Sequence, residues 1–276
     1  MPEQHLKVAI LSMYMNQESQ GMKYLRLLLE NEAYSFPDLS ISYKVFATRE
    51  SNELPRLSDF DLFISTGGPG DPHDGIGQEW ENNYFEFLRN FQAHNASNGQ
   101  SKFLFSICHS FQLLCRFFDI AKVVPRPQTC FGIHACRLEK SGKEDALFGK
   151  LPDPFLIVEN RNWQCVLPDH KKMESLGIQI LAKELNPVSA GAEPALLALR
   201  ISPFWVATQF HPETNPVEMR RVFSEGKKVQ EVLAKYGPLK MPETLGFLDQ
   251  KNPSLFDTFQ CLLPEFIKSA AISKFG

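Results

Sequence analysis

The sequence predicts an α/β fold of three layers, with a mostly parallel central sheet, helices on both faces and a C-terminal helical extension. Three observations carry that prediction. Several apolar runs, among them residues 6–13 (LKVAILSM) and 102–107 (KFLFSI), are continuous rather than alternating, as in strands buried on both faces. These runs alternate with segments of helical period, the pattern of parallel strands joined by crossover helices. Two of the runs stop abruptly, one at Gly67-Gly68-Pro69-Gly70 and one at Cys108.

Taken in order, residues 6–13 are the first strand. Residues 19–32 carry Met22, Leu25, Leu28 and Leu29 at helical spacing, with Ser19 or Gln20 near the start. Residues 41–47 (ISYKVFA) read as a second strand. Residues 61–66 (DLFIST) read as a third, running into a loop at 67–72 that is neither helix nor strand. Residues 80–94 place Tyr84, Phe85, Leu88 and Phe91 on one helical face. Residues 102–107 are the fourth strand and 110–118 the helix behind Cys108. After Ala121 short β-like runs at 135–138, 155–158, 178–182, 195–200 and 205–210 are punctuated by Pro and Gly. They read as hairpins and closing strands of the same sheet. From Pro216 the chain is helical again, charged and amphipathic over 217–236 and apolar-striped over 254–274, with a break at 237–242 (GPLKMP). Residues 1–215 are therefore expected to carry the sheet, and 216–276 to be a helical extension packed on the same domain, its last part core, lid or dimer contact.

Composition narrows the function. The 276 residues are 43% hydrophobic, ample for a packed core, and the net charge of −3 with a pI near 6.2 gives no footprint for nucleic acid or an acidic membrane. Pairs such as Arg220-Arg221 and Lys227-Lys228 read as a solvated face. The polar N-terminus lacks the apolar core of a signal peptide, and no apolar stretch approaches the roughly 18 residues of a membrane span. Six cysteines without a Cys-x-x-Cys pair point to buried free thiols in a reducing cytoplasm. The 23 phenylalanines predict a phenylalanine-rich core and an exposed apolar patch for a partner. No cofactor or metal is expected. Cys130, His134 and Cys136 lack a fourth ligand and make a poor zinc site, and no Gly-Lys-Ser/Thr follows the glycine loop to hold a phosphate.

Three motifs carry chemistry. Cys108 ends a strand where a helix begins, and Ser106 and Ser110 give it the small neighbours a nucleophile elbow needs. A helix N-terminus and a nearby imidazolium favour the thiolate, the reactive form. His211-Pro212-Glu213 follows the run 205–210; a histidine at that edge is placed as a base, and Glu213 to fix its tautomer. Thiol attack on an amide creates an oxyanion that needs rigid N–H donors. The Gly67-Gly68-Pro69 loop presents one, and the backbone N–H of His109 a second. His73 lies near that loop as a solvated or pocket-lining residue.

In the order Gly-Gly-Pro-Gly, Cys, His-Pro-Glu, these motifs resemble the class I glutamine amidotransferase domain over residues 7–213. They look closest to free-standing proteins similar to the glutaminase half of GMP synthase. The resemblance implies a flavodoxin-like fold and hydrolysis of glutamine through a γ-glutamyl thioester on Cys108, releasing ammonia. It implies His211 as base and then acid, Glu213 as its orienter, and Gly68 and His109 as oxyanion donors. Gly67 and Gln112 are assigned to substrate binding, Gln112 because it matches a family position that contacts glutamine. Partners implied are glutamine or another γ-glutamyl small molecule, a separate ammonia-accepting synthase chain, and a second copy in a homodimer. The sequence departs from the family pattern in three places. The elbow glycines are Ser106 and Ser110, an acidic residue is absent before Phe131-Gly132, and Glu159-Asn160-Arg161-Asn162-Trp163-Gln164 replaces a Ser-His-x-Asp-like run. The rival readings are a γ-glutamyl peptidase with the same triad, and a catalytically silent binding or regulatory subunit.

Overall fold

In the computed structural model the described residues are 4–15, 19–30, 39–97, 100–187, 192–224, 230, 234, 237, 240–249 and 253–276. The first half alternates as expected: β1 (Gln4–Leu11), α1 (Gln20–Glu30), β2 (Leu39–Phe46), a single turn α2 (Thr48–Ser51), β3 (Leu62–Ser65), α3 (Glu79–Ala96), β4 (Phe103–Ile107) and α4 (His109–Phe118). The second half runs β5 (Lys122–Leu138), α5 (Lys140–Glu144), β6 (Phe155–Val166), α6 (His170–Ser175), β7 (Gln179–Glu184), β8 (Leu196–Ser202) and β9 (Trp205–Thr208). It ends with α7 (Pro216–Ser224), α8 (Lys240–Asp249) and α9 (Pro253–Phe275).

Among the described residues the strands form one nine-stranded sheet in the order β2-β1-β3-β4-β9-β8-β7-β5-β6. The first four pairings are parallel and the last four antiparallel. The central strands β3 and β4 are buried along their whole length, which is why their sequences are uninterrupted apolar runs. The edge strand β2 alternates in burial and is more polar. β1 pairs with β2 on one side and β3 on the other, so the strand order reverses there. Sites in such sheets form beyond the carboxyl ends of the strands at that reversal.

The period of two along each strand divides the core. Val8, Ile10, Ile64 and Phe105 face a layer made by α1 and α9; Ala9, Leu11, Phe63 and Leu104 face α3 and α4. The last helix is thus an integral layer of the sandwich. Phe259, Leu262, Leu263, Phe266 and Ile267 lie in the same core cluster as β1 and β4. Phe266 meets Phe103 and Phe105 edge-on at 5.6 and 5.2 Å. The phenylalanines go mainly into these cores; among the described residues Phe275 alone of them is exposed. The hairpin β5–β6 is longer than the short runs read from sequence and has a bulge between Pro125 and Cys130. Its middle, with Phe131 and Val158, packs on Met219 and Phe223 of α7, Leu248 of α8 and Leu255 of α9. Of the expected break at 237–242, residues 240–242 are helical, because α8 starts at Lys240 with Pro242 in its first turn, where proline is tolerated. Most of the amphipathic stretch beyond Ser224, including Lys227 and Lys228, lies outside the described residues.

Candidate active site

Cys108 stands between β4 and α4 with φ 50° and ψ −98°, a positive-φ conformation that non-glycine residues adopt rarely and at a cost. Neighbours over-determine it. Its N–H donates to Thr208 O at 2.7 Å, and its carbonyl accepts from Gln112 N–H at 3.1 Å. The Gln209 amide donates to that carbonyl at 3.4 Å and lies 3.7 Å from Sγ. Positive φ falls on Cys108 and on neither serine, so serine in place of glycine strains no backbone here. Both serines are fully buried and bonded into the sheet. Ser106 Oγ accepts from Trp205 Nε1 at 3.1 Å. Ser110 Oγ donates to Thr66 O at 2.6 Å and meets Ser65 Oγ at 2.8 Å, which in turn meets Tyr84 OH at 2.9 Å.

His211 arrives from β9, three residues after the carbonyl that holds Cys108. Its N–H donates to Val158 O at 3.0 Å. The imidazole lies beside Cys108 on one side, close enough for the charge of Cys108 to raise its pKa. On the other, Nδ1 meets Glu213 Oε1 at 2.7 Å, with the carboxylate almost wholly buried. Burial pulls the imidazole pKa down, but the charges of Glu213 and Cys108 and the hydrogen bond to Glu213 outweigh it and hold it well above 6.5.

Gly67 and Gly68 close over this group. A Cβ on Gly67 would come to 3.0 Å from His211 Cε1 and 3.4 Å from Cys108 Cβ; one on Gly68 would come to 2.4 Å from Met13 O. Gly68 needs glycine because the Met13 backbone already occupies that space, whereas at Gly67 a side chain would be tight and its neighbours would have to shift by a few tenths of an ångström. Arg49 donates to Pro69 O and Arg116 to Pro72 O, and Arg116 also pairs with Glu81, so two arginines pin the loop. His73 bonds Asp71 at 2.9 Å and lays its ring 5.2 Å from that of Trp163. The backbone N–H of His109 opens α4. Its ring is buried, and burial, then Arg49 and Arg116, bring its pKa down to about 3. That imidazole is neutral, and its Nδ1 has no hydrogen-bond partner among the described residues.

A cavity of about 520 Å³ opens over these residues, lined by Gly68, Cys108, Gln112, His211 and Glu213. Its far wall is polar at Asn160, Arg161 and Asn162 and apolar at Phe131, Val158, Met219, Val222 and Phe223. Gln112 is buried and donates to Gln209 Oε1 at 3.3 Å, so it faces the cavity while braced from behind. Arg161 is fully buried, paired with Glu159 and donating to Trp163 O at 3.1 Å. Cys130 lies in the same neighbourhood, its thiol pushed up to about 12 by burial and then by Glu159. His134 is engaged with Phe131 O at 3.1 Å.

A model of the family described as glutamine amidotransferase class-I matches residues 28–227. The chain belongs to the class I glutamine amidotransferase family. Solved structures similar to it include a glutamine amidotransferase from Thermotoga maritima, at 15% identity over 97% of this chain and 98% of that one, with a TM-score of 0.67. Another, from Methylobacillus flagellatus, is 15% identical over 96% and 94%, with a TM-score of 0.63. The CTPS glutaminase domain from Trypanosoma brucei, solved with bound acivicin, is 14% identical over 89% and 94%, with a TM-score of 0.54. At such identities the likeness is one of fold. A comparison with curated proteins returned no match.

Every residue that sequence reasoning assigned to the amidotransferase site lies in this one region at the carboxyl edge of the parallel strands. Three groups there were missed. Gln209 is a polar residue in the apolar run 205–210, two before His211, and that oddity was the available signal. Tyr14 follows β1 at the same edge and lines the cavity. The α7 wall had no local signal, since its packing against Phe131 and Val158 is a tertiary event.

Proposed function

We propose that this amidotransferase hydrolyses the side-chain amide of glutamine, through a γ-glutamyl thioester on Cys108, and releases ammonia. His211 takes the thiol proton and returns it to the leaving nitrogen. Glu213 holds the imidazole in the right tautomer and supports its charged form. The N–H groups of Gly68 and His109 receive the oxyanion. Gly67 and Gln112 shape the seat of the substrate. The observation that carries this reading is the convergence of Cys108, His211 and Glu213 beneath a glycine turn and against one cavity. A separate synthase chain is the proposed acceptor of ammonia, and the buried thiols support a reducing cytoplasm. The test is release of ammonia and glutamate from glutamine. Cys108→Ala should lower it by roughly 10⁴-fold or more, and a glutamine-like electrophile should label Cys108 in the parent and not in His211→Ala. Full activity in Cys108→Ala would sink the proposal.

A second reading has one observation in its favour. The apolar wall of α7 lies just after the residue that protonates the leaving nitrogen, which suits a γ-glutamyl amide carrying an apolar substituent, with water as final acceptor. A panel of γ-glutamyl peptides beside glutamine separates the two by kcat/KM.

A further inference from the structure

The thioester scheme leaves one polar side chain at the centre of the site without a role. Tyr14 lies three residues past β1, at the same sheet edge as the elbow. Three groups converge on the point where a Gly67 side chain would begin: the Tyr14 hydroxyl at 3.1 Å, His211 Cε1 at 3.0 Å and Cys108 Cβ at 3.4 Å. The segment carrying Tyr14 is locked to the glycine turn, because Met13 N–H donates to Thr66 Oγ1 at 2.9 Å and Met13 O backs Gly68. From the other side α1 presents Gly21, where a Cβ would overlap the phenol oxygen at 2.1 Å. Glycine on both sides gives the hydroxyl its place, and the tyrosine forms part of the cavity wall with Gly68 and Cys108.

We propose that Tyr14 is a further catalytic residue, a side-chain donor to the oxygen that becomes negative when Cys108 attacks the amide. The proposal rests on the thioester reading above. In that step a bond forms between Sγ and the amide carbonyl carbon (Cδ of glutamine) while the C=O π pair moves onto oxygen. The oxyanion accepts from the Gly68 and His109 N–H groups and from the Tyr14 O–H, which keeps its proton. On collapse the C=O re-forms, the C–N bond breaks, and the nitrogen takes its proton from His211. The phenol is suited to donating rather than to accepting a proton. Burial, then the charges of Glu213 and Cys108, push it well above 10. A fixed donor in a partly dry site acts more strongly than the water it replaces.

Tyr14→Phe keeps the ring and removes the donor. Its kcat on glutamine should fall about 100-fold with KM changed less than about threefold. Alkylation of Cys108 by iodoacetamide, which expels iodide and forms no oxyanion, should keep the parent rate. An aldehyde analogue of glutamine, whose adduct with Cys108 puts oxygen where the oxyanion forms, should bind at least about tenfold more weakly. A kcat within about threefold of the parent, with aldehyde binding unchanged, overturns the proposal. So does an equal fall in the alkylation rate, because the tyrosine would then act on the thiol. If the parent protein neither hydrolyses glutamine nor captures the aldehyde on Cys108, the thioester reading fails and the tyrosine role falls with it.

Discussion

His109 and His211 share one site and titrate in opposite directions. The His109 imidazole, at about 3 when folded, lies below the ordinary 6.5, so its unfolded form binds a proton first and stability is lost as pH falls from about 6.5 toward 3. His211, held well above 6.5, contributes stability that is full below about 6.5 and is lost as pH rises through its raised value. Together they place a stability maximum near 6.5. Unfolding midpoints measured from about pH 4 to 9 should show it, with the acid limb flattened in His109→Gln and the alkaline limb flattened in Glu213→Gln. An unaltered alkaline limb in Glu213→Gln would show that the carboxylate does not hold the imidazole charged. The buried hydroxyls make a second expectation at this scale. Ser110→Ala leaves Thr66 O and Ser65 short of a partner and should cost about 1–3 kcal/mol in denaturant unfolding. Ser110→Gly should cost at least as much, since φ is not positive there and glycine relieves nothing.

At the scale of elements, the parallel half was legible and the antiparallel half was not. β3 and β4 announce themselves because burial on both faces demands unbroken apolar runs such as Leu62-Phe63-Ile64 and Phe103-Leu104-Phe105. β5 carries charged and polar residues and two prolines over 122–129, with Pro125 and 127–129 exposed, so from sequence only the run at 135–138 has strand character. The elbow, the base and the glycine loop were legible because each ends a strand with residue types that a bare turn does not require. The support behind them, Gln209 under Cys108 and Arg49 and Arg116 under the loop, joins residues far apart in sequence and has no local pattern. α9 offers a test of its standing as a layer. Phe266→Ala removes the ring wedged between Phe103 and Phe105 and should cost about 3–5 kcal/mol by chemical denaturation. A loss below 1 kcal/mol would mark the helix as loosely attached.

For the whole molecule, the C-terminal helix matters more than an appended extension would. It covers the face of the sheet that α1 leaves open, and Lys274 returns to pair with Asp61 at 2.7 Å near the start of β3. Removal of residues 253–276 should expose Phe103, Phe105 and their neighbours, and give a chain without cooperative thermal unfolding. A truncated protein that still melts sharply would contradict this. The same architecture has a consequence for how the chain tolerates change. β4 and β9 lie in register at Ile107 and Thr208, and the next hydrogen bond, from Cys108 to Thr208, ties the thiol's backbone to a point three residues before the imidazole. The sheet thereby acts as a gauge for the distance between the Cys108 sulfur and the His211 ring. One residue added within 205–210 would turn every following side chain to the opposite face and carry His211 away from the sulfur. Residues added just after Glu184, outside that interval, would leave the gauge untouched. Natural or laboratory length variation is therefore expected to gather between β7 and β8 and to spare the ten positions 103–108 and 208–211.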